Sequence, residues 1–131
     1  MTGLARFAGL LAVGILAVSL PALAQSSGSY GAIASTRPHY VMQYGTASGQ
    51  AGASAAVDAA IADCEARAGM RGVCEKHLAF RNRCAAIATG DDHTGAAEHA
   101  ARLAVAEHLA VAMCQADGTR KCQIVKSFCT G

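Results

Sequence analysis

Six cysteines carry the clearest chemistry in this chain of 131 residues. They stand at Cys64, Cys74, Cys84, Cys114, Cys122 and Cys129. No two are spaced C-x-x-C, so neither a zinc ribbon nor a thioredoxin-type redox pair is implied. An even number allows every thiol to be paired, and an exported chain meets an oxidising compartment. Three disulfides are therefore predicted. A Cys–His nucleophile needs a free thiolate beside a histidine, and full pairing leaves none.

The histidines are His39, His77, His93, His99 and His108. A metal site needs two or three converging, often at i and i+4 on a helix. His99 and His108 are nine apart, which sends them to opposite faces of a helix, and His93 and His99 also diverge. Glu98-His99 and Glu107-His108 are adjacent pairs that cannot face one another. All five are read as surface residues, and neither metal nor other cofactor is assigned. Asp91-Asp92 is the only contiguous acidic pair. It falls in a turn, where Asp suits the backbone, rather than in a glycosidase-type pair. No G-x-S-x-G, P-loop or dinucleotide fingerprint occurs. No catalytic residue is assigned. What remains is Tyr30, His39, Tyr40 and Tyr44, a concentration of amphipathic rings favoured at binding surfaces. These four are the candidate contact surface.

The N-terminus reads as an export signal. Arg6 supplies the positive charge, Phe7 to Leu20 is an apolar run, and Pro21-Ala-Leu-Ala24 gives an A-x-A pattern with cleavage after Ala24. The run is shorter than the roughly 20 residues that span a bilayer. No membrane span is expected once it is removed. The mature chain then has 107 residues, of which 25 are Ala and only 21 are Val, Ile, Leu, Met, Phe or Tyr. Removing Arg6 leaves 10 Lys plus Arg against 9 Asp plus Glu, a net of +1. Charges of mixed sign without a basic stripe argue against nucleic acid. The balance excludes a large enzyme, a collagen-like chain and a multi-pass membrane protein. It leaves a small domain stapled by disulfides.

Residues 25–29 form a polar leader, and 30–131 a single domain. Tyr30 to Ser35 and His39 to Gly45 read as a hairpin around Thr36-Arg-Pro38. Thr46 to Ala53 reads as a flexible linker. Ser54 caps a helix to Ala68, stopped by Gly69, with Val57, Ile61, Cys64 and Ala68 as its apolar stripe. Strands follow at Val73 to Asn82 and Cys84 to Thr89. After a turn at Gly90-Asp-Asp92, one long Ala-rich helix runs from Thr94 to Gln115. Cys122 to Cys129 is the last strand. The fold class is α+β: two Ala-rich helices on one face of an antiparallel or mixed sheet of about five strands.

Each half holds an Ala-rich helix ending in Cys, a turn, a Cys opening a strand and a Cys closing it. Cys64, Cys74 and Cys84 answer Cys114, Cys122 and Cys129, which suggests a duplicated α-β unit with pseudo-twofold symmetry. Six cysteines allow 15 pairings. The repeat favours Cys64–Cys74 and Cys114–Cys122, each joining a helix end to the next strand. Cys84–Cys129 then meets across the symmetry axis.

The opening Tyr30-Gly-Ala-Ile-Ala, the helix ending at Cys64, the Cys74…Phe80-x-Asn82-x-Cys84 strand, the helix ending at Cys114 and the terminal Cys122…Phe128-Cys129 resemble the bacterial family labelled domain of unknown function 4189. The resemblance spans Tyr30 to Gly131. It implies a small exported bacterial protein with paired cysteines and transfers no catalytic residue. The family carries a Gly- and aromatic-rich strand before the second helix. Thr89 to Ala97 is short and lacks an aromatic, so no strand is assigned there. The expected function is a non-enzymatic, protein-binding module, inhibitor- or immunity-like, periplasmic or extracellular. A small secreted hydrolase and a structural envelope component are the alternatives.

Overall fold

The computed structural model describes residues 28–131. The export signal, its cleavage site after Ala24 and the leader up to residue 27 lie outside the described residues. Ser29, placed in the leader by sequence, is held: its carbonyl accepts from the Asn82 N–H at 3.0 Å and its hydroxyl from Arg81 Nε at 3.2 Å.

The elements run β1 (Tyr30–Thr36), β2 (Tyr44–Gln50), α1 (Ala53–Ala68), β3 (Cys74–Arg81), β4 (Cys84–Thr89), β5 (Gly95–Ala100), α2 (Leu103–Ala116) and β6 (Gln123–Cys129). The class is α+β, but the single sheet expected from sequence is two. Each is three-stranded and antiparallel, in the orders β2-β1-β3 and β5-β4-β6. The chain is thus two ββαβ units in succession. Only Asn82 and Arg83 join them, with Asn82 in the left-handed region at φ 51°.

Three hydrophobic clusters define the layers. Ala32 and Ala34 of β1 pack on Ala56, Ala60 and Cys64 of α1. Ala86 and Ala88 of β4 pack on Ala106, Ala110 and Cys114 of α2. Ile33, Phe80, Ala85, Ile87 and Ala97 meet between the sheets. Alternation along a strand sends successive side chains to opposite faces. The Ala-Ile-Ala runs of β1 and β4 therefore put alanines under a helix and an isoleucine against the other sheet. The result is a helix–sheet–sheet–helix sandwich. Ile33 and Ile87 are its largest fully buried aliphatic side chains.

Small residues let the helices lie close. A Cβ on Gly45 of β2 would enter the backbone of α1 at Ala60 and Cys64. That contact explains why β2 occupies Tyr44–Gln50 rather than His39 to Gly45. The presumed flexible linker is the strand itself, built from residues small enough to fit beneath α1. Likewise β5 takes Gly95–Ala100 out of the long helix predicted from Thr94, and α2 starts at Leu103. Gly-Ala-Ala-Glu-His-Ala has a helical composition, but pairing along all of β4 overrides that preference.

Helix faces differ from the sequence reading by about one residue. The deepest row of α1 is Ala56, Ala60 and Cys64, with Val57, Ile61 and Ala68 beside it. Gly52 rather than Ser54 is the N-cap, without a side-chain cap bond. Gly69 closes α1 at φ 70°, its N–H bonded to the Glu65 carbonyl, as a left-handed C-terminal residue does.

The bridges are Cys64–Cys74, Cys114–Cys122 and Cys84–Cys129, the three pairs favoured by the repeat. Their place in the repeat differs. Tyr30 pairs with Arg81 in the first unit, and Cys84 pairs with Cys129 in the second, at the same register position. Cys84 opens the second unit rather than closing the first. Its bridge lies within that unit, not across a symmetry axis. The division is two cysteines and four, not three and three.

Candidate functional site

The β1–β2 connection, residues 37–43, is the longest loop in the fold and the most apolar one. Its base is pinned. Thr36 Oγ1 accepts from the Gln43 N–H at 3.1 Å and donates to the Val41 carbonyl at 3.1 Å. The Thr36 N–H donates to Gln43, and the Arg37 N–H to Val73 at 2.8 Å. His39 takes φ 81°, a left-handed conformation in which His is over-represented among non-glycine residues. The loop therefore stands as a braced ridge with Tyr40 and Val41 at its crest, 46 % and 75 % exposed. Met70, just past the α1 terminus, adds a third exposed apolar side chain.

Hollows lie on both sides of the ridge. One of about 330 Å³ is lined by His39, Tyr40, Val41, Ala68 and Met70. The other, about 380 Å³, reaches across to Asp92, His93 and Thr94 of the second unit. Behind the ridge, a cleft of about 220 Å³ opens between the sheets, lined by Tyr44, Thr46, Ile87, Thr89, Val125 and Lys126. Lys126 Nζ donates to Thr46 Oγ1 across it. Burial, helped by the Asp117 carboxylate, pushes the Tyr44 phenol up to about 12.

The four residues of the expected contact surface do not share one surface. His39 and Tyr40 sit together on the ridge. Tyr30 is at the far end of β1, packed beside the α1 cluster with the Arg81 guanidinium 5.2 Å from its ring centroid. Tyr44 packs against the inter-sheet cluster and meets the His77 ring edge-on at 6.2 Å. The split follows from the true position of β2: Tyr44 opens the strand opposite Ser35, whereas Tyr40 remains in the loop. Met42 is also in the loop, so the alternation read for Tyr40, Met42 and Tyr44 belongs to no strand.

The cysteines, His99 and Asp92 have structural duties. All six cysteines are bridged. His99 stacks on Phe80 at 5.8 Å, so it is not a surface histidine, and its Nδ1 is buried without a partner. Asp92 accepts from the Thr94 side chain at 2.7 Å and from its N–H at 3.0 Å, which holds its carboxyl below the usual range. It is the turn residue expected. Among the described residues, no three of His, Cys, Asp and Glu come together as metal ligands, and no helix is long and apolar enough to cross a membrane.

Sequence reasoning missed Met70, Thr46, Val125 and Lys126. Val125 is the residue left over where Ile87 pairs with Lys126 and Ala88 with Ile124, and a bulge of this kind re-aims a side chain. Nothing in the order of residues marks it. Met70 carried a signal, as a large apolar residue directly after a helix-stopping glycine. A family model described as "Domain of unknown function (DUF4189)" matches residues 30–129. No curated protein and no solved structure matches the chain.

Proposed function

This chain belongs to the DUF4189 family of unknown function, and from that premise we propose a non-enzymatic binding module that docks another protein on the 37–43 ridge. The observation that carries the reading is the braced crest of Tyr40 and Val41 between two hollows. A loop already held in one conformation loses little entropy on docking. A protruding aromatic with aliphatic neighbours supplies the kind of anchor on which interfaces concentrate their energy. Arg71, Arg120 and Lys121 are exposed in the neighbouring loops. The partner that fits is a protein surface with an apolar pocket and an acidic rim. The three disulfides support an oxidising compartment, so the site of action is the bacterial envelope or the medium. A rigid stapled scaffold suits an inhibitor or immunity role.

The mature protein, residues 25–131 with its bridges intact, serves as bait in envelope and culture-medium extracts, beside a Tyr40→Ala/Val41→Asp variant. The expected result is a partner retained by the parent and lost by the variant at unchanged melting temperature. A partner held equally by both overturns the assignment of the ridge.

A further inference from the structure

The helices α1 and α2 occupy equivalent places, so each serves as a control for the other. Ala56, Ala60 and Cys64 of α1 answer Ala106, Ala110 and Cys114 of α2, fifty positions on. The same offset relates one flank of each helix. On α1 that flank is Ala55, Ala59 and Asp63, and Asp63 is engaged by the Thr46 N–H at 2.9 Å and by Arg67 at 3.2 Å. On α2 it is Val105, Leu109 and Met113, exposed by 37 %, 38 % and 44 %. These three form a stripe at i, i+4 and i+8 on a single helix side. Among the described residues, all three are left partly open to solvent.

Charge at the helix ends points to the occupant. Arg102 is the N-cap of α2 and Asp117 its C-cap. A helix favours negative charge at its N-terminus and positive charge at its C-terminus, so both residues oppose the field of their own helix. Neither forms an ion pair among the described residues. A second α2 laid antiparallel reverses this arrangement: each Arg102 then lies beside the other helix's C-terminus, and each Asp117 beside its N-terminus.

We propose that the α2 flank is the seam of a symmetric homodimer. With the twofold axis at Leu109, Val105 faces Met113 of the partner subunit and Leu109 faces its own copy. Arg102 comes beside Asp117 of the partner subunit, twice over. Such an isologous contact is self-complementary, and it closes at two chains. The equivalent flank of α1 cannot form it, because alanines give little to bury and Asp63 is already held. The seam is about 21 Å long, short for a standard interface, so the association is expected to be weak and concentration-dependent.

Sedimentation velocity of the mature, oxidised protein from about 1 to 300 µM tests this. The parent is expected to shift from monomer to dimer across that range, and Leu109→Asp to remain monomeric with an unchanged far-UV spectrum. Arg102→Asp and Asp117→Arg alone each weaken the dimer by roughly tenfold or more, and together restore it to within about threefold. A parent that is monomeric throughout overturns the proposal. So does failure of the charge swap to restore association, which keeps the test decisive if Leu109→Asp misfolds.

Discussion

The two ββαβ units share what folding requires and differ in what they expose. Both have an Ala-Ile-Ala central strand, an Ala-Ala-Cys helix row, a helix-to-strand bridge and a phenylalanine late in the third strand, with Phe80 and Phe128 5.7 Å apart. Both carry a one-residue bulge, at His77 and at Val125. The differences lie elsewhere. The first unit joins its first two strands by an apolar ridge. The second uses the short polar turn Gly90–Thr94, closed by Asp92 and by a 2.7 Å contact between the Thr94 and Thr119 hydroxyls. Positions alike in both units are architectural. Positions where they part are where contacts with other molecules are to be sought.

The open end of each sheet is the sharpest contrast. The second unit ties it with Cys84–Cys129, whereas the first holds it without a covalent bond, by the Arg81 cation over the Tyr30 ring and hydrogen bonds to Ser29. Cys84→Ser/Cys129→Ser is expected to cost about 4 kcal/mol, since it opens a loop of 45 residues. Removing Arg81 costs about 0.5–1 kcal/mol. Guanidinium melts of both variants check the gap, and comparable losses would mean that the two ends are not closed unequally.

The isoleucines test the other side of the comparison, where the units are alike. Ile33→Ala and Ile87→Ala each empty one side of the same inter-sheet cluster, so each is expected to lose about 3 kcal/mol, equal to within about 1. A large loss at one site and a negligible one at the other would break the equivalence. A last contrast concerns Tyr44, whose equivalent in the second unit is Gly95. The phenol ionises at about 12 in the fold against 10.0 in the free side chain. The unfolded chain therefore gives up its proton first. This contribution is complete below pH 10 and is lost as pH rises through 10 towards 12. In Tyr44→Phe the alkaline decline is shallower by that amount. Thermal melts between those limits decide it, and an unchanged slope removes Tyr44 from the account.

Local signals were legible in sequence where one element settles them. The bridges Cys64–Cys74 and Cys114–Cys122 follow from a helix end, a turn and a strand start, and both were readable. The boundary between the units was not, because the residue equivalent to Cys84 is Tyr30 and a count of cysteines cannot reveal that. Strands β2 and β5 were misread for a shared reason. Gly45, Ala47, Ala96 and Ala97 have weak strand preference, yet the space under the helices and between the sheets demands small side chains. The same demand inverted α2, whose larger residues Leu103, Val105, Leu109 and Met113 face outward while Ala106 and Ala110 are buried. Of the ridge, His39 and Tyr40 were named from sequence. The hollows around them were not: one is closed by Ala68 and Met70 at the α1 terminus and the other by Asp92, His93 and Thr94 of the second unit, neighbours that only the fold brings together.

The two-residue link at Asn82 and Arg83 changes how the thin core should be regarded. Two ββαβ units so joined are a dimer made intramolecular. Each meets the other at an effective concentration that separate chains could not reach, so the translational cost of association is met once, in the covalent chain. A face of alanines, two isoleucines and two phenylalanines, with Tyr44 and Leu78 beside them, then suffices between the sheets, where a face holding independent chains would need more apolar area. Lengthening that link would dilute one unit with respect to the other while leaving every contact between them unchanged.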